Sequence, residues 1–321
     1  MTFLQLLEQK HFGKLNKNWI LDYAKSSADF CTQWLIHSIR SSASQYELAL
    51  SLSFADKWQL GVLNQLEIYL NEMLNDKNVQ SSDYSKTFDL VATVHQDFSL
   101  ARIELIIQKL DFLFKTKSAT DDDKFNLQVH NVKIPQILLD SLIKQTQPHL
   151  KDVTLFGVDG PGSKNQNIRN NRHFPTPLPN NILELALIEK LMATSLNESI
   201  AHAEPAVILC YKQSQYYHWH YDALYPHNQS IQQQIDQFGQ RAKTVIFYLN
   251  DDFVGGETEF KKPFTSIKPK QGNMISFNNC DSSGKRLAES IHRGRELQSG
   301  EKWIVTLWFR SKPFWLRNAF L

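Results

Sequence analysis

A chain of 321 residues, 42% hydrophobic and 21% charged, is long enough to bury a sizeable core and has room for two units. A net charge of +2 with an isoelectric point near 8.3 is too balanced for nucleic acid or an anionic membrane surface to be the main partner. The three cysteines, Cys31, Cys210 and Cys280, are too few and too far apart for a disulfide framework, so a reducing compartment is expected. No apolar run reaches bilayer length and the first residues form no signal pattern, so the expected location is the cytoplasm, with no membrane partner.

Residues 1–117 read as an all-α domain. Leu4 and Leu7, then Trp19, Ile20, Tyr23 and Ala24, then Trp34, Leu35 and Ile39 recur at three- and four-residue intervals, and this half contains no proline. Residues 34–39 followed by 44–50 resemble a degenerate Sel1-type helical repeat. The next candidates, 58–74 and 98–114, do not keep that pattern, and a plain helical bundle accounts for them equally well. Residues 115–124 (Lys-Thr-Lys-Ser-Ala-Thr-Asp-Asp-Asp-Lys) carry no periodic apolar position and read as a solvated linker into a second unit, 118–321.

The second unit opens with an alternating strand pattern at 125–132 and a helical one at 135–150. A Gly-, Asn- and Pro-rich loop at 157–181 follows, with the character of a functional lid, and then a helix at 182–195. From Ala206 the runs become short and β-rich: 207–211, 216–221, 244–249, 258–260, 274–277 and 303–309. Turn signals at Asp251-Asp252, Gly255-Gly256 and Ser299-Gly300 separate them. Such spacing indicates a sandwich or barrel rather than a parallel sheet with crossover helices. The expected fold class is α+β: a C-terminal double-stranded β-helix, or jelly roll, with flanking helices, preceded by the all-α domain.

Within the run Tyr216-Tyr217-His218-Trp219-His220-Tyr221-Asp222, strand alternation aims His220 and Asp222 at one point, because residues two apart share a face. His292 is the candidate third ligand. Two histidines and one carboxylate on one face of an iron leave positions open for a co-substrate and oxygen. His218 shares the strand face of His220 and is expected either to support the site from behind the ligands or to line it; His227 is a nearby competitor.

In order along the chain stand Tyr211, Tyr217, His220 and Asp222; Gly239-Gln240-Arg241 and Tyr248-Leu249-Asn250; Gly255-Gly256-Glu257-Thr258; Pro269-Lys270-x-Gly272; and His292 with Gly300-Glu301-Lys302-Trp303 and Trp308. This set resembles the prolyl 4-hydroxylase branch of the iron(II)- and 2-oxoglutarate-dependent dioxygenases, closely over 205–312 and in outline over 125–205. The resemblance implies that His220, Asp222 and His292 hold Fe(II) and that Lys302 meets the distal carboxylate of 2-oxoglutarate. It also implies that Tyr211 hydrogen-bonds that co-substrate. Thr306 lines the same cavity by strand spacing from Lys302, and Arg241 and Trp308 resemble positions near the substrate mouth. L-ascorbate keeping the iron reduced, and hydroxylation of a prolyl or other amino-acid residue in a peptide or protein, follow from the same likeness. Two departures stand out: Ser214 where the family commonly has glycine, and Arg293-Gly-Arg-Glu-Leu after the distal histidine. The competing readings are a largely non-catalytic module that docks a protein partner through its helical domain, and a cupin-like binder of another metal; the latter leaves Lys302 unexplained.

Overall fold

The computed structural model describes residues 17–41, 45–58, 60–74, 100–114, 125–153, 155–156, 161–163, 169–174 and 182–314. The first turns around Leu4 and Leu7, the 115–124 linker and most of the 157–181 loop lie outside these residues. No helix among the described residues is long and apolar enough to cross a membrane.

The described part of the first 114 residues forms helices α1 (Lys17–Ala24), α2 (Ala28–Ser41), α3 (Gln45–Trp58), α4 (Leu60–Leu74) and α5 (Leu100–Leu113). In α3 every residue from Leu48 to Ala55 is buried, so it sits at the centre of the helical half rather than on its surface. Its interior hydroxyls are satisfied locally: Ser51 Oγ donates to Leu48 O at 3.0 Å and Ser53 Oγ to Leu50 O at 2.8 Å.

Two further helices, α6 (Gln136–Thr146) and α7 (Leu183–Ser195), connect this half to the sheets. α7 is buried almost all round, which forces its acidic residues to find partners inside. Glu184 accepts from Tyr69 Oη at 3.0 Å and Ser141 Oγ at 2.7 Å. Glu189 takes the Ala206 N–H at 3.1 Å and forms an ion pair, bent away from hydrogen-bond alignment, with Arg40 of α2 at 2.6 Å. Both members of that pair are almost fully buried, so removing the cation leaves a carboxylate in a dry interior. Arg40→Ala is expected to destabilise the chain by about 3–5 kcal/mol, read as a lower denaturant midpoint at unchanged slope.

Eleven strands build the two main sheets: β1 (Gln128–Asn131), β2 (Lys151–Asp152), β3 (Arg172–His173), β4 (Val207–Tyr211), β5 (Tyr217–His220), β6 (Arg241–Tyr248), β7 (Thr258–Lys261), β8 (Phe264–Ile267), β9 (Asn273–Asn278), β10 (His292–Gly294) and β11 (Lys302–Arg310). The order is β1-β9-β6-β11-β4-β3-β2 in the larger sheet and β8-β7-β10-β5 in the smaller. Every ladder is antiparallel. The long connection between β5 and β6 carries helix α8 (Gln229–Phe238).

β11 is central to the larger sheet and buried on both faces, which explains its nearly continuous apolar run. Trp303, Val305, Leu307 and Phe309 join the core shared with the helices. Ile304 packs into a second core between the sheets with Leu209, Tyr211, Tyr248, Phe260 and Phe277. Alternation therefore places Lys302, Thr306, Trp308 and Arg310 on the inter-sheet side with Ile304. The helical half leans on the opposite side of the same sheet, through one continuous buried cluster.

Candidate metal centre

β5 and β10 are neighbours in the smaller sheet, and their register sets His292 directly opposite His220. Asp222 follows two residues later, just beyond the strand end. One ligand atom from each of the three side chains lies within 4.8 Å of the other two, and among the described residues this is the one cluster of its kind. Each imidazole Nε2 is 3.6 Å from an Asp222 oxygen, His220 from Oδ1 and His292 from Oδ2.

The surroundings fix how these groups present themselves. His220 Nδ1 lies 2.8 Å from the carbonyl of His218, and His292 Nδ1 lies 2.9 Å from the carbonyl of Ser290. A carbonyl only accepts, so each Nδ1 carries the proton and each Nε2 lone pair is left for a cation. Asp222 Oδ2 accepts from Thr244 Oγ1 at 2.7 Å, and Thr244 Oγ1 in turn accepts from Asn279 Nδ2 at 2.7 Å. Burial, reinforced by the neighbouring His292, pushes the His220 pKa down. Burial alone would raise that of Asp222, but His292, His220 and Arg241 outweigh it and hold the carboxyl below its usual range. A neutral imidazole beside an ionised carboxylate is the protonation state a divalent metal requires. Donor types, spacing and fixed tautomers all fit Fe(II).

Lys302, at the start of β11, is paired with Tyr211 of β4. Its side chain is only 2% exposed; Nζ donates to Gly256 O at 2.6 Å and lies 5.3 Å and 5.5 Å from the ring centroids of Tyr211 and Tyr248. Burial pulls its pKa down to about 7 despite the nearby Glu257. Gly256, with φ +69, is what lets the ammonium settle there, since a Cβ would meet Leu297 Cδ1 at 2.9 Å and Lys302 Cδ at 3.1 Å. Burial also pushes the Tyr211 phenol up to about 12, so it remains a donor at neutral pH. Thr306 is buried two residues further along the same inter-sheet row than Ile304.

At the other end of that row, Arg241 forms a bidentate pair with Glu204, both contacts 2.7 Å, and lies 4.0 Å from the Trp308 ring centroid. Arg310 would be the fallback cation if Lys302 were not the carboxylate partner, but it is committed elsewhere: it donates to Glu204 Oε1 at 3.1 Å and to Gln234 O of α8 at 2.9 Å.

One expectation is corrected. The His218 ring does not line the site; it is exposed and packs on Tyr216, and only its carbonyl serves the centre. The irregular pairing of β5 with β10 between His292 and Gly294 breaks ideal alternation, so Tyr217 stacks on His220 instead, centroids 3.5 Å apart. His227 is exposed, and among the described residues its ring meets Tyr225, through that residue's carbonyl and its ring. Thr244, Asn279 and Arg169 were not anticipated. Arg169 forms an isolated bridge with Tyr217, sits 4.5 Å over its ring and donates from Nε to Asn171 Oδ1 at 2.6 Å.

Ser214 adopts φ +65, the left-handed conformation that glycine takes without steric cost, while its N–H donates to Leu297 O at 2.8 Å. The backbone shape is thus kept without the usual residue. Ser214→Gly is expected to stabilise the chain by about 0.5–1 kcal/mol, seen as a small rise in thermal midpoint with the metal centre unchanged.

Residues 206–310 match the family model of the 2OG-Fe(II) oxygenase superfamily. A putative prolyl 4-hydroxylase of Acanthamoeba polyphaga mimivirus is 33% identical over 161 residues, covering 50% of this chain and 66% of that protein. Prolyl 4-hydroxylase 1 of Arabidopsis thaliana is 28% identical over 224 residues, 60% of this chain and 77% of the relative. Among solved structures, a viral collagen prolyl hydroxylase of Paramecium bursaria Chlorella virus-1 aligns at 25% identity over 58% of this chain and 96% of its own, with a TM-score of 0.41.

Proposed function

We propose that this chain, which belongs to the 2OG-Fe(II) oxygenase superfamily, couples decarboxylation of 2-oxoglutarate to hydroxylation of a prolyl residue in a peptide or protein. The observation that carries this reading is a three-ligand cluster and a buried lysine on one inter-sheet core: the His292 ring packs on Phe260 and Phe277, and the Lys302 ammonium lies over Tyr211 and Tyr248. We read the two facing sheets as the double-stranded β-helix that holds such a centre.

His220, Asp222 and His292 would hold the iron, which when bound supplies the activation of dioxygen that no side chain can provide. The protein's own groups do the rest. Lys302 meets the distal carboxylate of 2-oxoglutarate, and its ammonium needs such a partner because the cavity is dry. The Tyr211 phenol donates to the co-substrate across the cavity from Lys302. Thr244 and Asn279 hold the Asp222 carboxylate in one orientation, leaving the opposite side of the centre to substrate. Ascorbate as the reductant that restores the iron, a cytoplasmic location, and a protein partner for the helical half belong to the same proposal.

The test is conversion of 2-oxoglutarate to succinate with a panel of proline-containing peptides, with mass spectrometry locating an added oxygen. Succinate release that no prolyl ligand stimulates, with no oxygen gained by any peptide, would remove the prolyl assignment.

A further inference from the structure

We propose that the substrate presents a carboxylate beside the carbon to be hydroxylated, and that Arg241, Arg169 and the Trp308 indole N–H receive it. This rests on the hydroxylase reading above and names the chemistry of its substrate.

The argument begins with charge. A divalent iron and dianionic 2-oxoglutarate cancel, as do Asp222 and Lys302, so the centre with its co-substrate is neutral. Around it stand three guanidiniums. Arg169 sits 4.5 Å over the ring of Tyr217, which itself stacks on the ligand His220 at 3.5 Å, and Arg241 opens the strand whose Thr244 donates to Asp222. Arg310 lies behind Arg241, its side chain 1% exposed, and the two repel each other. Apart from the metal ligand Asp222, Glu204 is the carboxylate in contact with this group, and it is shared between Arg241 and Arg310. No carboxylate among the described residues pairs with Arg169. A half-buried cluster with this excess of positive charge is unfavourable without an anion.

Unused donors point the same way. Trp308 Nε1 and Arg310 Nε are both buried and donate to nothing among the described residues, although buried N–H groups almost always have acceptors. Trp308 is the residue on which Arg241 stacks. Arg241 gives Nε and Nη2 to Glu204 and keeps Nη1, which together with the indole N–H suits the two oxygens of a further carboxylate. The carboxylate has two sources: an acidic residue flanking the prolyl target, or the α-carboxylate of a free or C-terminal imino acid.

Calorimetric binding to the full-length protein loaded with Mn(II) and 2-oxoglutarate, without turnover, separates them. The ligands are two matched pairs: a prolyl peptide with a flanking Asp against its Asn counterpart, and L-proline against L-prolinamide. In at least one pair the carboxylate member is expected to bind about tenfold tighter, the size of a charge-assisted contact, and the preference should shrink in Arg241→Gln. The preferred pair identifies the source. Amide and carboxylate members binding equally in both pairs would overturn the anion site while leaving prolyl hydroxylation standing. Binding of none of the four, with Mn(II) and 2-oxoglutarate bound normally, would overturn both.

Discussion

Replacing His292 by Ala, or Asp222 by Asn, should abolish 2-oxoglutarate turnover and weaken divalent-metal binding by more than a hundredfold, with the fold retained. Among the described residues three ligand atoms within 4.8 Å form the centre, so His292→Ala leaves two of them and Asp222→Asn replaces the one anionic ligand by a weak neutral amide oxygen. Disturbing only the groups behind a ligand typically costs ten- to a hundredfold in affinity, which sets the floor for removing the ligand itself. Thr244→Val falls in that lower range, because Asp222 would keep its place in the sequence while losing the hydroxyl that orients it. The fold survives because neither core depends on the ion: one lies between the sheets and the other joins the helices to the back of the larger sheet. Titration with Co(II) or Mn(II), followed spectroscopically, ranks the variants, while circular dichroism confirms that each is folded. Metal affinity in His292→Ala within a few-fold of the parent would remove His292 from the centre.

The sequence revealed much of this because burial patterns repeat along a chain. The β11 run from Trp303 to Phe309 and the Val207–Tyr211 strand were legible, since a strand buried on both faces leaves a continuous apolar signature. That His220 and Asp222 face one point was legible from their two-residue spacing, whereas Lys302 was picked out by the family resemblance, through its place ten residues after His292. α8 was not: residues 229–237 carry five glutamines, and only Ile231, Ile235 and Phe238 turn inward. Its one local signal was Asn228, whose side chain accepts from Ile231 N at 2.9 Å and caps the helix. The Thr244–Asn279 support of Asp222 joins residues 35 positions apart and exists only through the pairing of β6 with β9 and its flank. Arg169 lay in a loop whose composition gives no period, and an isolated bridge to Tyr217 leaves no sequence trace. The His218 error has the same origin, since alternation assumes an unbroken ladder and the β5–β10 pair is irregular.

Lys302→Ala should raise the 2-oxoglutarate dissociation constant at least a hundredfold at pH 7 while barely changing metal affinity. Lys302 is 2% exposed, so its partner carboxylate would be stranded in a dry interior, a loss of roughly 3–5 kcal/mol. Lys302→Arg should recover part of this, limited by the space above Gly256, where the lysine Cδ already crowds. The parent protein adds a pH signature that the alanine variant lacks. Without co-substrate, burial lowers the Lys302 pKa from 10.5 to about 7, whereas a bound dianion favours the charged form and raises it. Below pH 7 the lysine is already charged and binding needs no proton. Above pH 7 each binding event must take one up, so affinity should fall about tenfold per pH unit until the bound-state pKa is reached. Anaerobic titration of the iron-loaded protein, followed by its visible charge-transfer band from pH 6 to pH 9, measures the affinity. Calorimetry at pH 8 in buffers of different ionisation enthalpy counts the proton. If Lys302→Ala binds 2-oxoglutarate as tightly as the parent and shows the same pH slope, the distal carboxylate is held elsewhere. Arg310 cannot simply take over, because it is held between Glu204 and the end of α8.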